Sequence, residues 1–276
     1  MSRPGEEAYT YGYSPTATQR MAARNAKTNA AFFVPHLRPD MEVLDCGCGP
    51  GSITLGLAEV VPVGHVLGVD LEPSQIDLAR AEAAKRGIVN ARFDVADVRH
   101  LPFPGATFDA VFGHTILMQF RDPLPVLKEM WRVLKPGGMC GLREPAFDGN
   151  LYNPPDGARQ QYLTLFSRLL EHNGSDPKVG KRLSSLFYEV GFRRATTSAS
   201  YEVAGTPEAK RLAWEGFARL CEEAEWMKQA ISMGWISADG RDTLAAALRL
   251  EGAKPEAFAA MAFGEIIGWK DGPVSP

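Results

Sequence analysis

A short glycine-rich segment, residues 47–51, constrains the fold of this chain more than any other feature. It reads Gly-Cys-Gly-Pro-Gly, follows a short apolar run that ends in Asp45, and precedes residues 52–58, whose composition is helical. A strand that turns through glycines into a helix brings backbone amides and the positive helix end close to a small anionic group. The segment therefore predicts a ligand-binding turn between the first strand and the first helix of an α/β fold.

The spacing of the glycines disfavours one common use of such a turn. A dinucleotide-binding turn needs its third glycine at the position of Ser52, and Pro50 stiffens the chain just before it. The spacing is more typical of a nucleoside bound beside the loop than of a pyrophosphate above the helix. A nicotinamide oxidoreductase is therefore an alternative that Pro50 and Ser52 disfavour.

Strands and helices alternate over the first half of the chain. A helix is predicted over residues 16–36, and later helices separate predicted strands at 42–46, 65–70, 91–95, 108–113 and 139–143. Such alternation predicts a parallel sheet with helices on both faces and right-handed crossovers. Ligands of such sheets bind at the carboxyl ends of the strands.

The pattern changes after residue 144. Helices are predicted over 158–172, 177–190, 207–233 and 237–250, and strands over 195–203 and 261–269. We predict an N-terminal arm and helix at 1–40, a core at 41–204 and 259–276 that includes the helical segment 151–190, and a helical insert at 205–258.

Four segments in order resemble the class I S-adenosylmethionine-dependent methyltransferases. They are 43–51, Gly68-Val69-Asp70, Val95-Ala96-Asp97 and Leu134-Lys135-Pro136-Gly137-Gly138. More closely, the chain is similar to small-molecule methyltransferases of the ubiquinone and menaquinone biosynthesis type. The resemblance implies a Rossmann-like, seven-stranded, mostly parallel sheet with an antiparallel last strand, an N-terminal helix and a helical cap. It also implies S-adenosylmethionine as cofactor and S-adenosylhomocysteine as product.

Several residues match the positions that hold the methionine and ribose parts of the cofactor. Glycine at 47 and 49 lets the chain approach these moieties closely, because a Cβ there would collide with them. The Asp70 carboxylate can accept two hydrogen bonds from a ribose diol, and its alternative role is a helix N-cap. Asp45 is expected to bond loop amides or the ligand's ammonium group.

The adenine side is expected to involve the ends of the second and third strands. Leu71 could cover one face of the base. In the resembled family, the acid at the position of Asp97 accepts from the adenine amino group, and Val98 would donate an amide to a ring nitrogen. Gln75 is also expected among the cofactor-binding residues. A solvated turn acid is the alternative for Asp97.

The N-terminal arm, residues 9–14, is expected to fold over the methionine end of the cofactor. The hydroxyls of Tyr11 and Tyr13 could meet the carboxylate, or a ring face could lie near the sulfonium. Arg24 is a further partner for the carboxylate. Simple packing of the tyrosines and a solvated Arg24 are the alternatives.

His114 is the leading general base, because it ends the fourth strand and imidazole titrates near neutrality. It is also expected to line the cofactor site, and a structural histidine is the alternative. Glu144 with Arg143, at the end of the fifth strand, is the second catalytic pair, with a plain ion pair as the alternative. Methyl transfer depends mainly on placing the acceptor in line with the methyl group.

Aromatic and apolar residues in the cap favour a small hydrophobic or aromatic acceptor, methylated at O, N or C. A second hypothesis keeps the cofactor but uses its sulfonium as a fixed charge for an isomerisation or cyclisation. A pseudo-enzyme that regulates a partner is disfavoured by the intact loop and Asp70.

The composition excludes several other classes. A formal net charge of −3 offers no basic surface for nucleic acid, and no stretch is apolar enough for a membrane span. The four cysteines show neither zinc spacing nor a disulfide framework, so no metal site is expected. The polar N-terminus lacks the layout of a signal peptide. We therefore expect a cytoplasmic enzyme with a small-molecule substrate, with a homodimer as one assembly to test.

Overall fold

One mixed β-sheet forms the centre of the computed structural model, which describes residues 10–272. Its strands are β1 Glu42–Cys46, β2 His65–Asp70, β3 Ala91–Val95, β4 Phe108–His114, β5 Leu134–Pro145, β6 Leu151–Asn153, β7 Arg194–Val203 and β8 Phe258–Trp269. The order is β3-β2-β1-β4-β5-β8-β6, with β7 also pairing with β8. Strands β1 to β5 pair with one another in parallel, and β8 is antiparallel to β5, β6 and β7. The predicted Rossmann-like class is confirmed.

The short strand β6 was not predicted from the sequence. Its register pairs Leu151 with Ala260 and Asn153 with Phe258 at the start of β8. A three-residue strand is too short to show an alternating pattern, so its existence depends on the partner strand.

The strand order reverses between β1 and β4, which creates a crevice at the carboxyl ends of the parallel strands. Register places Cys46 at the end of β1 between Val69 of β2 and Gly113 of β4. His114, the last residue of β4, lies beside Arg143 of β5. The residues that the sequence placed at strand ends therefore meet at one edge of the sheet.

The helices that cover the sheet and its carboxyl edge are α1 Pro15–Ala22, α2 Ala26–Asn29, α3 Ser52–Val60, α4 Pro73–Arg86, α5 Leu124–Val133, α6 Ala158–His172, α7 Leu183–Val190, α8 Pro207–Glu223, α9 Glu225–Ser232 and α10 Ala238–Gly252. Short 3₁₀ turns occur at Val34–His36, Leu117–Gln119, Phe147–Gly149 and Val179–Arg182.

The predicted single helix over residues 16–36 is wrong, because the chain forms α1, α2 and a 3₁₀ turn there. Asn25 separates the two helices with extended dihedral angles, φ −154° and ψ 159°. Its side chain accepts a hydrogen bond from the Thr28 amide, so Asn25 acts as a new N-cap. Local side-chain bonding by asparagine competes with helix continuation.

The predicted helix over 207–233 is also interrupted. Ala224 adopts ψ 140° and ends α8, and α9 starts at the next residue. The turn allows Trp226 of α9 to pack on α6, with ring centroids 5.3 Å from Tyr162 and 4.9 Å from Phe166. Burial of each such aromatic side chain stabilises the fold by roughly 1.5–3 kcal/mol. Packing between the cap and α6 therefore decides where the helix breaks.

The described part of the chain was also compared with the requirements of a membrane-spanning helix and of a metal site. No helix within residues 10–272 combines the length and apolar character needed to cross a bilayer. The same part of the chain contains no group of three or more His, Cys, Asp or Glu side chains that could hold a metal ion. The four cysteines are free and buried, and burial raises the pKa of the Cys46 and Cys48 thiols well above the ordinary value.

Candidate active site

The glycine turn lies between β1 and α3, and three of its residues have positive φ. A Cβ on Gly51, with φ +78°, would lie 2.8 Å from Ala79 and Phe93, so packing against α4 and β3 requires this glycine. A Cβ on Gly47, with φ +73°, would lie 2.7 Å from Ile116. Gly49 differs, because the nearest protein atom to its Cβ would be the Met21 sulfur at 3.8 Å. Only Gly49 therefore leaves room that a ligand could occupy.

The sequence predicted that backbone amides of the turn face an anionic ligand, but the glycine amides bond to the protein itself. The amides of Gly47 and Cys48 both donate to the carbonyl of Val69 at the end of β2, and Gly51 donates to Cys48. The Gly49 amide donates to Asp70 Oδ2 at 2.9 Å. These bonds hold the turn against β2. The first turn of α3 has no side-chain cap, so the positive end of the helix is the part of the loop that still faces the crevice.

Asp45 lies near the end of β1, Asp70 ends β2, and both line the crevice. Thr54 donates its hydroxyl to Asp45 Oδ2 at 2.6 Å, and burial raises the pKa of Asp45 to about 7. Asp70 accepts backbone hydrogen bonds from Gly49 and Glu72, and burial raises its pKa as well. Each carboxylate oxygen has a second lone pair, so Asp70 retains the capacity to accept hydroxyl groups.

Asp97 is paired more strongly than the sequence suggested. The Arg99 side chain donates from Nε to Asp97 Oδ1 at 3.0 Å and from Nη2 to Oδ2 at 2.8 Å. These bonds lower the pKa of Asp97 and keep it ionised. Asp97, Val98 and Arg99 line the crevice together.

The other expected cofactor residues fall in different places. Leu71 lines the crevice and is 62% exposed, as expected for a side chain that would cover a ligand. Gln75 is 1% exposed within α4, and its Oε1 has no hydrogen-bond partner there. Tyr13 lines the crevice, whereas Tyr11 lines a neighbouring cavity and packs edge-on against Phe166. The structure does not bring Gln75 to the ligand side of the crevice.

A second cavity of about 530 Å³ adjoins the crevice. It lies above β7 and β8 and is closed by α1, α6 and α8. Met21, Arg24 and Thr115 line both spaces, and Arg24 Nη1 donates to Thr115 Oγ1 at 3.3 Å. The name crevice is kept for the space at the carboxyl ends of the parallel strands, and the name cavity for the space above β7 and β8. These three residues therefore form a wall that the crevice and the cavity share.

His114 is 5% exposed, and its Nε2 accepts a hydrogen bond from Arg143 Nη1 at 2.8 Å. A guanidinium only donates, so Nε2 carries the lone pair and the ring proton sits on Nδ1, which lies 3.3 Å from Thr115 Oγ1. Asn29 Nδ2 also contacts Nε2, at 3.2 Å. Burial, with the charges of Arg24 and Arg143, holds the pKa of His114 well below its ordinary value. The imidazole is therefore neutral, and its basic nitrogen is already bonded.

Arg143 connects His114 to two carboxylates. Its Nη1 donates to Glu202 Oε1 at 2.9 Å, its Nε lies 3.3 Å from Glu265 Oε1, and the guanidinium lies 3.6 Å from the ring centroid of Phe263. Arg143 is therefore neutralised inside a network that lines the cavity.

Glu144 is completely buried and supports the backbone after β4. Its Oε1 accepts from the amides of Ile116 and Leu117, both at 2.8 Å, and its Oε2 accepts from Met118 at 3.3 Å. Burial raises its pKa to about 7. This geometry favours a structural role and does not support the expectation of a catalytic Glu144.

Sequence reasoning missed Asn29, Arg99, Arg159 and Glu202. Glu202 lies near the end of the predicted strand 195–203, and the rule that ligands bind at the carboxyl ends of strands could have identified it. The position of Arg159 at the first turn of a helix carries no signal of a binding role.

Comparisons with known proteins agree with this geometry. Residues 37–176 match the model of a family described as a methyltransferase domain. An uncharacterized methyltransferase of Schizosaccharomyces pombe is 34% identical over 192 residues, which cover 66% of this chain and 68% of that protein. A demethylmenaquinone methyltransferase of Deinococcus radiodurans is 34% identical over 171 residues, covering 62% and 64% respectively.

Among solved structures, the YcgJ protein of Bacillus subtilis shares the fold, with a TM-score of 0.60 at 20% identity. The match covers 89% of this chain and 99% of that one. The family match favours methyl transfer over the nicotinamide alternative. The chain belongs to the class I S-adenosylmethionine-dependent methyltransferases, and S-adenosylmethionine is its cofactor.

Proposed function

We propose that this enzyme transfers the methyl group of S-adenosylmethionine to a small metabolite with an apolar or aromatic body, held in the cavity. The observation that carries the proposal is the shared wall of Met21, Arg24 and Thr115, which joins the crevice to the cavity. Aromatic side chains such as Phe217 and Trp214 line the cavity, and they suit an apolar acceptor.

The crevice fits the cofactor on two observations. The space beside Gly49 would be filled by a Cβ, and two acids, Asp45 and Asp70, line the crevice next to the turn. Asp70 would accept the ribose hydroxyls, and Asp45 would face the ammonium group. Leu71, Asp97 and Val98 would surround the adenine, with Asp97 already engaged by Arg99. When bound, the cofactor supplies a methyl group on a positively charged sulfur.

Tyr13 and Arg24 are proposed to lie at the methionine end of the crevice. Arg24 is the basic residue that faces both spaces, so it can pair with the cofactor carboxylate while it borders the acceptor. Tyr11 faces the cavity, and we assign it to the acceptor side.

This chain's own residues would orient the acceptor and exclude water, because placement supplies much of the rate of a displacement at carbon. The base role of His114 stays a prediction. It requires that Arg143 and Asn29 release Nε2 when an acceptor binds, since both contact that nitrogen here. Before that release, Arg143 would hold the His114 ring and the Glu202 carboxylate in position.

Helices α8 to α10 are proposed to form the lid, and α1 with α2 a second cover. Both contribute residues to the walls of the cavity, including Ala213 of α8 and Ala17 of α1. Closure by these elements would exclude water from the reacting groups.

The test is formation of S-adenosylhomocysteine with a panel of aromatic and apolar alcohols, amines and acids, using cofactor labelled in its methyl group. We expect label in a small product and one S-adenosylhomocysteine for each methyl transferred. Asp70→Ala should lose cofactor binding by calorimetry, while His114→Ala should bind cofactor and turn over slowly. Conversion of an acceptor without S-adenosylhomocysteine would indicate the isomerase or cyclase alternative and would overturn methyl transfer to this acceptor class.

A further inference from the structure

Arg159, at the start of α6, is the cavity residue with the least complete bonding. It is 1% exposed, and its Nη2 contacts the Met261 sulfur at 3.2 Å. Its Nε and Nη1 have no hydrogen-bond partner among the residues that the structure describes. Within residues 10–272, no carboxylate lies within ion-pair distance of this guanidinium. A buried charge without a partner is strongly unfavourable unless a ligand compensates it.

The protein nevertheless holds Arg159 firmly in this position. The Glu251 carboxylate, from α10, accepts the amides of Ala158 and Arg159 at 2.6 and 3.3 Å, and also Trp214 Nε1 at 3.0 Å. The guanidinium stacks on Phe217, 3.7 Å from the ring centroid. Contacts from α8 and α10 therefore hold the start of α6 and the guanidinium in place, while the Nε and Nη1 donors stay unused within the described chain.

The cavity as a whole carries excess positive charge. Within residues 10–272, four arginines line it, namely Arg20, Arg24, Arg143 and Arg159, and Glu202 is the one acidic lining residue. Glu202 and Glu265 neutralise Arg143. Arg20 lies 4.2 Å from the Phe217 centroid, so two guanidinium groups stack on one ring.

Arg159 is charged at neutral pH. Burial, with a smaller contribution from Arg20, lowers its pKa to about 10, while the nearby hydroxyls of Tyr152 and Tyr162 act in the opposite direction. Arg159 therefore lines the cavity as a cation whose Nε and Nη1 donors are unused within the described chain.

We infer that the methyl acceptor carries an anionic oxygen group, a carboxylate or a phosphate, which binds Arg159 while its apolar body packs along Phe217 and Trp214. The inference rests on the proposed function and names the class of its substrate. Charged hydrogen bonds to a buried guanidinium are among the stronger polar interactions in proteins. An acid would be bound in preference to its neutral analogue for this reason.

The experiment uses the full chain saturated with S-adenosylhomocysteine and three probes that share one aromatic body: 2-naphthoate, 2-naphthyl phosphate and 2-naphthamide. We expect an anionic probe to bind at least about tenfold more tightly than the amide by calorimetry. Tighter binding of naphthoate would identify a carboxylate, and tighter binding of naphthyl phosphate a phosphate. Equal affinity of all three probes, or no binding of any of them to the loaded enzyme, would overturn the inference.

Two variants sharpen the test. Arg159→Met should lose the preference for the anionic probe and should unfold at a higher temperature without ligand, because an unpaired buried charge is removed. Arg168→Met is the matched control, since Arg168 lies on the same helix and stacks on Trp235 at 3.9 Å but is exposed. It should keep the preference for the anion. A lower unfolding temperature of Arg159→Met with unchanged probe selectivity would show that Arg159 is purely structural.

Failure of this inference is distinguishable from failure of the proposed function. Binding of S-adenosylhomocysteine is measured first and does not involve Arg159, which does not line the crevice. If the wild-type protein bound S-adenosylhomocysteine but did not prefer the anionic probes, the proposed methyl transfer would stand. The inference of an anionic acceptor would then be wrong.

Discussion

The buried Asp45 carboxyl should make both the stability of the protein and its affinity for the cofactor depend on pH. It is 3% exposed, and burial raises its pKa to about 7, with the Asp70 charge adding to the effect and the Thr54 hydrogen bond opposing it. A carboxyl whose pKa is raised on folding contributes stability below its unfolded pKa, and this stability is lost as the pH rises through the folded pKa. Between about pH 4 and 7, the unliganded protein should lose up to about 1.4 kcal/mol of unfolding free energy per pH unit from this group.

Cofactor binding should have the opposite pH dependence. An ammonium group beside Asp45 favours the ionised carboxylate, so affinity for S-adenosylhomocysteine should rise from about pH 6 to 8, by at most about tenfold per unit for one proton. Asp45→Asn should bind more weakly and lose this slope. Calorimetry at three pH values measures both quantities. An unchanged slope in Asp45→Asn would assign the proton to another group, with Asp70 the next to test.

Alanine substitutions at two glycines of the turn should affect different properties, stability at Gly51 and ligand affinity at Gly49. Alanine at 49 or at 51 shares the strain of positive φ, about 1–2 kcal/mol. Gly51→Ala adds the overlap with Ala79 and Phe93 and should cost a further 1–3 kcal/mol, roughly, in urea unfolding. Gly49→Ala should be the more stable of the two, with affinity for S-adenosylhomocysteine about tenfold lower, because its Cβ enters the crevice. Equal stability of the two variants would contradict this division.

At the scale of elements, Glu144 fastens the segment after β4 to β5. Glu144→Ala leaves three amide donors without their acceptor and should destabilise the protein by at least about 1–3 kcal/mol. Glu144→Gln keeps an amide oxygen that can accept from Ile116 and Leu117, so it should retain most of the stability and of the turnover. Urea unfolding and turnover with an acceptor test both variants. A stable Glu144→Gln without turnover would restore the catalytic role expected from the sequence.

The elements differ in how well the sequence predicted them. The parallel strands and the turn at 47–51 were predicted well, because apolar periodicity and glycine position are local properties. The N-terminal helix was mispredicted because Asn25 caps a new helix with its own side chain. The break at Ala224 depends on packing against α6, and the strand β6 depends on pairing with β8. Neither contact leaves a pattern in the local sequence.

At the scale of the whole molecule, the cavity walls come from distant parts of the chain, such as α1, α6 and α8. If α8 to α10 act as a lid, binding of S-adenosylhomocysteine with an acceptor should slow amide hydrogen exchange across residues 207–252 and α1. Exchange in the centres of β1 and β4 should not change, and these strands serve as the internal control. Uniform protection over all helices would indicate general stabilisation by ligand instead of closure. The expected homodimer stays a prediction, which the mass in solution would test.

The sequence by itself determined the Rossmann-like architecture and the family, and it predicted which residues would hold the cofactor. These depend on short segments whose meaning is local: glycines that turn a strand into a helix, and acids at strand ends. Only the tertiary structure formed the cavity that we propose for the acceptor. Arg159, Arg20 and Glu202 meet there from separate elements, and whether each charge is paired or left open depends on burial and distance between those elements. Electrostatic free energies follow these distances and the local dielectric, which the order of residues along the chain does not specify.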